Sequence, residues 1–257
     1  MSSAQPSAVS SEREPLDLFR FSNLAGEPWL VHAISTRAGG VSQGRFASLN
    51  VSFSVGDEQA NVEENLRRLR EALGADELFS AYQVHGNAVT LVDAHTEPRP
   101  KCDVLITQSP ERALMLRYAD CTPVLLADPK HRALAGVHAG WRGSAVRAAG
   151  AAVRAMQQAF GTRPGDLLAG LGPAIGPCCY TVGQEVVDAF ADRRWLIAES
   201  RLDLWAANRQ ALIEAGVRAE HIEVAEICTQ CHSDRFFSHR ANGGVPAGRF
   251  AGIIRLC

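Results

Sequence analysis

Four short apolar segments lie between residues 104 and 137, and they constrain the fold more than any other feature. Each has the length of a β-strand and is too short for a stable helix. Apolar runs without alternation are typical of strands that are buried on both faces. The sequence therefore predicts a group of buried strands over 104–107, 113–116, 124–127 and 133–137.

Helices and further strands are predicted on both sides of this group. Val62, Leu66, Leu69 and Leu73 recur at helical spacing, and Gly74 follows them, which predicts a helix over 61–73. The other predicted helices are 144–160, 184–190 and 202–215. The other predicted strands are 29–34, 88–92, 167–171, 222–227 and 250–256. Clustered strands without regular β–α–β alternation indicate the α+β class with a mixed sheet.

The N-terminal segment differs from the rest of the chain. Residues 1–15 are polar and rich in serine, without the apolar core of a signal peptide. We expect a disordered tail over 1–15 and a single domain over 16–257, because no linker or repeat interrupts the remainder. The seven cysteines are an odd number, and Cys178 and Cys179 are adjacent, which argues against a disulfide framework. A reducing, cytoplasmic location is expected.

The charge and hydropathy of the chain exclude several classes of partner. The formal net charge of −2 provides no electrostatic reason to bind nucleic acid or an anionic membrane. No apolar segment approaches the roughly 20 residues that cross a bilayer. A small-molecule ligand is expected instead, bound by a monomer or a small homo-oligomer.

Three metal-binding side chains lie beside predicted strands, although they are far apart in sequence. His85 lies in Gln83-Val-His-Gly86, Cys121 in Ala119-Asp-Cys-Thr-Pro123, and His138 in Gly136-Val-His-Ala-Gly140. Strand ends and glycine-rich loops are where binding sites concentrate. One thiolate and two imidazoles are the set that a catalytic zinc takes, with its fourth position left for water. Alone, each residue is more ordinary: a surface histidine, a buried thiol, a strand histidine.

Neighbouring residues could complete such a site. Asp120 could act as a base or orient a water molecule, although a turn carboxylate is equally compatible with its position. Arginines near glycine-rich turns are candidate anion ligands because a guanidinium fork matches phosphate geometry. They are Arg37, Arg142, Arg240 and Arg249, of which we favour Arg37 and Arg142.

A second group of cysteines has no assigned role. Cys228-Thr-Gln-Cys231-His232 has the spacing of a c-type haem attachment motif, which would require an exported protein and an axial ligand. The pair could also be half of a metal site, but the sequence shows no partner half. Structural thiols are therefore the favoured interpretation.

Several motifs in consistent order resemble the laccase-domain family. They extend from about His32 to the C-terminus and include segments 36–42, 48–50, 55–57, 83–86, 119–124, 136–143, 172–177 and 236–238. This family is widely labelled multicopper polyphenol oxidase and is also interpreted as a purine nucleoside phosphorylase with adenosine deaminase activity. His239 departs from the pattern, in which a tyrosine is expected before the arginine.

The resemblance implies an α-β-β-α layered fold and a zinc ion held by the residues that match His85, Cys121 and His138. It also implies phosphorolysis of adenosine, inosine and methylthioadenosine. Phosphorolysis needs a phosphate cradle, for which Arg37 is the best candidate, and polar groups near the ribose, such as Asn50. Deamination needs an activated water at C6 of adenine and a carboxylate that moves protons.

Other functions stay open at this point. A multicopper oxidase needs many imidazoles in His-x-His pairs, whereas this chain has eight histidines and no such pair. A single copper site also uses two histidines and one cysteine, but Met115 and Met156 are not placed as its axial ligand. Cys121 could instead be a nucleophile with His138 as its base. Removal of a wrong amino acid from a cell-wall muramyl precursor is a further role assigned to the bacterial family.

Overall fold

The computed structural model describes residues 15–257, so the predicted tail lies outside the described residues except for Pro15. The strands are β1 (Leu18–Phe19), β2 (Leu30–Ser35), β3 (Leu78–Ser80), β4 (Val89–Leu91), β5 (Val104–Thr107), β6 (Ala113–Tyr118), β7 (Thr122–Asp128), β8 (Ala133–Ala139), β9 (Leu168–Leu171), β10 (Ile197–Ala198), β11 (Arg201–Leu202), β12 (Ile222–Val224) and β13 (Phe250–Leu256). All nine predicted strands are present, while β1, β3, β10 and β11 were not predicted.

The helices are α1 (Ser22–Ala25), α2 (Gln59–Leu73), α3 (Trp141–Ala145), α4 (Ala148–Phe160), α5 (Gln184–Ala189) and α6 (Leu204–Glu214). Short 3-10 turns cover Gly44–Phe46, Phe53–Val55, Pro164–Asp166, Ala191–Leu196 and Ala219–His221. No helix of residues 15–257 is long and apolar enough to cross a membrane.

The strands form two large mixed sheets. One has the order β1-β2-β13-β6-β3, and the other has the order β12-β9-β7-β8-β5-β4. The four central apolar segments therefore do not share one sheet, because β6 pairs with β13 and β3 while β5, β7 and β8 lie in the second sheet. Strands β10 and β11 form a separate small hairpin.

The two sheets pack face to face, and helices cover their outer faces. Residues Leu105 and Leu125 of the six-stranded sheet meet Leu116 of β6 between the sheets. On the outer face of the six-stranded sheet, α4 and α6 pack over the buried valines and leucines of β5 and β7. Helix α2 packs on the five-stranded sheet through Leu69 and Leu73. This is the predicted α-β-β-α sandwich.

The layers explain the continuous apolar runs in the sequence. All seven residues of β7 and all seven of β8 are buried. Leu125 contacts the opposite sheet, whereas Val124 and Leu126 contact the helices. Since both faces of the central strands are covered, neither face requires polar side chains.

The predicted helix over 144–160 is wrong in one respect, because the chain breaks it into α3 and α4. Arg147 adopts a left-handed conformation with φ of 55° at the start of α4. The buried guanidinium of Arg193 donates to the carbonyl oxygens of Ser144 at 3.3 Å and Ala145 at 2.7 Å. Arg193 thereby satisfies carbonyl groups that a continuous helix would have bonded internally.

A buried histidine links the N-terminal segment to the sheet. The Phe21 amide donates to Nε2 of His32 at 2.8 Å, so that nitrogen must keep its lone pair. Burial lowers the pKa of the His32 imidazole, and the nearby Arg20 charge lowers it further, to about 4. His32 is therefore neutral in the folded protein at physiological pH.

This histidine should make the protein sensitive to mild acid. The unfolded chain takes up the proton near pH 6.5 and the folded chain only near pH 4, so the stabilisation is complete above 6.5 and is lost as the pH falls to 4. His32→Gln keeps an acceptor for the Phe21 amide but cannot be protonated. The difference in unfolding free energy between this variant and wild type should therefore change by about 3 kcal/mol between pH 7 and pH 4.

Urea unfolding at a series of pH values measures this difference. His95→Gln, at an exposed position, is the matched control and should follow the wild-type curve. Parallel curves for wild type and His32→Gln would show that the imidazole is not the sensor.

Candidate metal centre

Three distant segments of the chain place His85, Cys121 and His138 together. His85 lies on the loop that follows β3, Cys121 lies in the turn between β6 and β7, and His138 lies near the end of β8. Strands β7 and β8 are antiparallel, and Thr122 is paired with Ala139, which places Cys121 close to His138. The donor atoms of the three residues all lie within 4.8 Å of one another. The imidazole centroids are 4.9 Å apart.

The backbone around these residues is unusual. His85 has a φ of 62° and Asp120 a φ of 85°, conformations that non-glycine residues adopt rarely and that concentrate at functional sites. Gly140 lies against the same cluster. A Cβ atom there would be 2.8 Å from Sγ of Cys121 and 3.4 Å from Cδ2 of His85, so a larger residue would displace the donor atoms.

Asp103 fixes the orientation of the cluster. This fully buried carboxylate contacts Nδ1 of His138 through Oδ1 at 2.7 Å. Its other oxygen accepts from the amides of Gly86 at 2.7 Å and Val84 at 3.1 Å, which hold the His85 loop. This contact leaves Nε2 of His138 as the ring nitrogen available to the cluster. Metal-binding histidines commonly carry such a carboxylate partner.

Asp103 was not predicted from the sequence. The available signal was a carboxylate directly before a buried apolar strand, where an acidic residue is costly unless it is hydrogen-bonded.

Cys121 and His138 also alter each other's acidity. Burial raises the pKa of the Cys121 thiol, but the His138 charge and hydrogen bonds from both imidazoles bring it down to about 6. Burial lowers the pKa of His138, but the Cys121 thiolate and Asp103 raise it, to about 9. Without a metal the two residues form a thiolate–imidazolium pair. A cation bound to the sulfur would take the place of the proton on His138.

Asp120 is held next to Cys121 by two hydrogen bonds. Its Oδ1 accepts from Oγ1 of Thr229 at 2.7 Å, and its Oδ2 accepts from the amide of Arg240 at 2.8 Å. The backbone carbonyl of Asp120 accepts from the amide of Ile175 at 2.9 Å. The carboxylate is thus fixed in the wall of the cavity that contains the cluster.

The cavity has a volume of about 730 Å³, which is within the range of small-molecule sites. His85, Cys121 and His138 form one wall. Aromatic side chains line other parts, and five arginines reach it: Arg99, Arg117, Arg142, Arg240 and Arg249. A polar, anionic and partly aromatic ligand matches this lining.

The anion-binding candidates from the sequence lie in different places. Arg142 lines the cavity, stacks on Trp141 and donates to Oε1 of Glu185 at 3.1 Å. Arg37 is not among the lining residues, because its guanidinium donates to the carbonyls of Ala47 at 2.7 Å and Ser233 at 2.6 Å.

Asn50 is also absent from the lining, but it contacts a lining residue. Its Oδ1 accepts from the backbone amide of Arg249 at 2.9 Å, and its side-chain amide donates to Oδ2 of Asp57 at 2.8 Å. Asn50 therefore holds the segment that carries Arg249.

Arg117 is a lining residue that the sequence analysis missed. It extends from β6 and donates to the carbonyl of Val51 at 2.8 Å and to Oγ of Ser80 at 3.0 Å. Burial lowers its pKa to about 10. The available signal was an arginine within an otherwise apolar strand, but the predicted strand 113–116 ends two residues before β6 does.

The layered fold, the donor cluster and the cavity define an enzyme that acts on a small molecule. The sequence profile described as multi-copper polyphenol oxidoreductase laccase matches residues 31–257. The chain belongs to this family.

Named relatives and solved structures agree with this assignment. A purine nucleoside phosphorylase of Bacteroides thetaiotaomicron is 34% identical, with 92% of this chain and 95% of that protein covered. The purine nucleoside phosphorylase YlmD of Geobacillus stearothermophilus is 38% identical, over 88% of this chain and 90% of that protein. The crystal structure of the Bacillus licheniformis hypothetical protein YfiH superposes with a TM-score of 0.86 at 30% identity, over 95% of this chain and 100% of that one.

Replacement of Asp103 should weaken metal binding without removing a donor atom. In Asp103→Asn the neutral amide makes a weaker hydrogen bond to Nδ1 of His138 and no longer raises the basicity of the imidazole. The affinity for zinc should therefore fall about 10- to 100-fold. Competition with a chromophoric chelator measures this affinity.

Asp128→Asn is the matched control, since Oδ2 of Asp128 contacts Nδ1 of His131 at 2.8 Å in a carboxylate–imidazole pair outside the cavity. Equal affinities for wild type and Asp103→Asn would argue against an orienting role for Asp103.

Proposed function

We propose that the protein is a zinc-dependent purine nucleoside phosphorylase that acts on adenosine, inosine and methylthioadenosine and also deaminates adenosine. The cavity carries this proposal, because metal donors, a fixed carboxylate and several arginines face one volume. The names of the relatives favour a nucleoside over a muramyl precursor or a phenol as substrate.

The donor set fits zinc. One thiolate and two imidazoles leave one coordination position open, as in catalytic zinc sites. Blue-copper sites usually add a thioether, but Met115 packs beneath α2 and Met156, on α4, is buried in the core between α4 and the six-stranded sheet. Zinc held by His85, Cys121 and His138 would act as a Lewis acid toward an oxygen atom in the cavity.

Two partly buried arginines, Arg117 and Arg249, would supply the phosphate site. Arg117 and Arg249 donate only to hydroxyl and carbonyl oxygens, and within residues 15–257 neither forms an ion pair with a carboxylate. Burial lowers the pKa of both guanidinium groups. A partly desolvated cation that is not paired with a carboxylate favours an anionic ligand. Arg142 would contact the phosphate from the rim.

Arg37 and Asn50 would act through other residues. The carbonyl of Arg37 accepts from the amides of Ser48 and Leu49, so it fixes the loop that leads to Asn50. Asn50 in turn holds the amide of Arg249. We assign both as positioning residues for the phosphate site.

Phosphorolysis requires an exchange of bonds at C1′ of the ribose. A phosphate oxygen forms a bond to C1′ while the bond from C1′ to N9 breaks, and its electron pair stays on N9. The proton carried by the phosphate passes to the departing purine, which leaves ribose 1-phosphate. Arginines that hold the phosphate in line with C1′ lower the barrier by orientation and charge.

Deamination requires a base near C6 of adenine. Asp120 is the candidate because Thr229 and Arg240 fix its carboxylate in the cavity wall. It would accept a proton from a water whose oxygen bonds to C6 and return that proton to the exocyclic nitrogen, which departs as ammonia. The product is inosine.

Removal of the donors tests the zinc role. The triple variant His85→Ala, Cys121→Ala, His138→Ala should lose the zinc of this site and both activities, with rates at least 10³-fold below wild type, about 4 kcal/mol of barrier. Chromatography of adenosine incubated with and without phosphate measures both reactions. Adenine that appears only with phosphate supports phosphorolysis, and inosine in either case supports deamination.

The control carries His95→Ala and Cys257→Ala, at exposed positions outside the cavity, and should keep metal and activity. Phosphorolysis by the folded triple variant at the wild-type rate would refute the zinc role.

Arg142 provides a separate test of the phosphate site. Its side chain is 57% exposed, so Arg142→Gln should fold normally. Loss of one charge-assisted contact should raise the KM for phosphate about tenfold, since a hydrogen bond to a charged group contributes about 1.5–3 kcal/mol before solvent screening. Deamination, which uses no phosphate, should be unchanged. Arg194→Gln, an exposed arginine outside the cavity, is the control. An unchanged KM for phosphate would place the anion elsewhere.

The Cys121–His138–Asp103 chain also favours a second candidate, a thiol hydrolase. Cys121 would be the nucleophile, His138 the base, and Asp103 the carboxylate that orients the base. Chelation would abolish a zinc-dependent activity and spare a thiol-dependent one. Loss of activity on chelation therefore favours the zinc enzyme, and activity that survives chelation but is lost on thiol alkylation favours the thiol enzyme. A cytoplasmic location stays a prediction.

A further inference from the structure

Four cysteines form a second cluster outside the cavity lining. The sulfur atoms of Cys178, Cys179, Cys228 and Cys231 all lie within 4.8 Å of one another. Sγ of Cys231 is 3.6 Å from that of Cys178 and 3.4 Å from that of Cys179. A disulfide requires about 2.05 Å. Four thiolates around zinc, with bonds of about 2.3 Å and tetrahedral angles, stand about 3.8 Å apart.

The topology of the six-stranded sheet brings the two cysteine pairs together. Strands β9 and β12 are parallel neighbours, so the loops that follow them leave the same edge. The Ala174 amide donates to the carbonyl of Ile227 at 3.2 Å, and the Thr229 amide donates to the carbonyl of Ala174 at 3.0 Å. These bonds align the 172–179 loop with the 227–231 loop. The pair Cys178–Cys179 thereby supplies the partner half that the sequence analysis did not find for Cys228 and Cys231.

The local backbone resembles that of zinc sites. Cys228 and Cys231 have the Cys-x-x-Cys spacing that structural zinc sites use. The amide of Gly176 donates to Sγ of Cys228 at 3.3 Å, a contact that stabilises a thiolate. A Cβ on Gly176 would lie 2.9 Å from the Trp205 ring and 3.3 Å from Sγ of Cys178, so glycine allows this approach.

We propose that Cys178, Cys179, Cys228 and Cys231 bind one zinc ion in a closed tetrathiolate site. Four protein donors leave no position for water or substrate, so the site is structural. Cys178 and Cys231 are exposed, which gives the ion a route of entry from solvent.

The site would hold the cavity wall through its two loops. Thr229, between the paired cysteines, donates to the Asp120 carboxylate, and Ile175 donates to the Asp120 carbonyl. The metal would clamp the two segments that carry these donors.

Zinc counting on reduced, metal-replete protein tests the proposal. His85→Ala/His138→Ala leaves the cysteine cluster intact and should retain one tightly bound zinc per chain while losing phosphorolysis. Its X-ray absorption spectrum should show four sulfur neighbours and no imidazole. If instead the proposed phosphorylase function is wrong, the cluster zinc should still be present, and only the activities should differ from those expected.

Cys178→Ser/Cys231→Ser should lose one zinc per chain relative to wild type and melt at a lower temperature. Cys257→Ser, which removes an exposed thiol elsewhere, is the matched control and should lose none. If the serine variant does not fold, the spectrum of His85→Ala/His138→Ala decides. A reduced His85→Ala/His138→Ala protein without zinc, or a disulfide between the loops in protein purified under reducing conditions, would overturn the proposal.

Discussion

The buried Asp103 carboxylate is the interaction on which the site depends. It stands at the start of β5 among apolar side chains, where an unpaired charge would be strongly destabilising. Its oxygens are satisfied by the His138 ring and by two amides of the His85 loop. Its backbone carbonyl also accepts from the His138 amide at 2.8 Å. One carboxylate thus ties two of the three metal donors to the central sheet, and the geometry of the donors follows from the packing of that sheet.

The cavity lies where the two sheets and their connecting loops meet. The five-stranded sheet contributes Arg117 from β6, and the six-stranded sheet contributes His138 from β8. The hydroxyl of Tyr118 donates to the carbonyl of Val137 at 2.9 Å, a direct bond between the sheets beside the metal donors. Arg117 and His138 therefore approach the cavity from opposite layers, and the packed core fixes their separation.

Much of this arrangement could be predicted from the sequence. Apolar runs indicated the buried strands, and the glycine-rich loops at their ends indicated where His85, Cys121 and His138 would converge. The division of the four apolar segments between two sheets could not be predicted from the sequence. Strand β6 is as apolar as β5, and only its long-range pairing with β13 distinguishes it. Asp103 and Arg117 were not predicted as site residues, because their positions in the site depend on tertiary contacts. The Cys178–Cys179 pair could be matched to Cys228 and Cys231 only once β9 and β12 were known to be parallel neighbours.

The position of β13 has a consequence for how the molecule is made. This strand is the middle member of the five-stranded sheet, yet it follows every other strand along the chain. On the ribosome, β2 and β6 emerge with a gap between them that nothing earlier in the chain can fill. Until residues 250–256 arrive, β2 and β6 lack the strand that pairs with both, so the five-stranded sheet is incomplete. Face-to-face packing of the two complete sheets is therefore expected only after β13 has been synthesised.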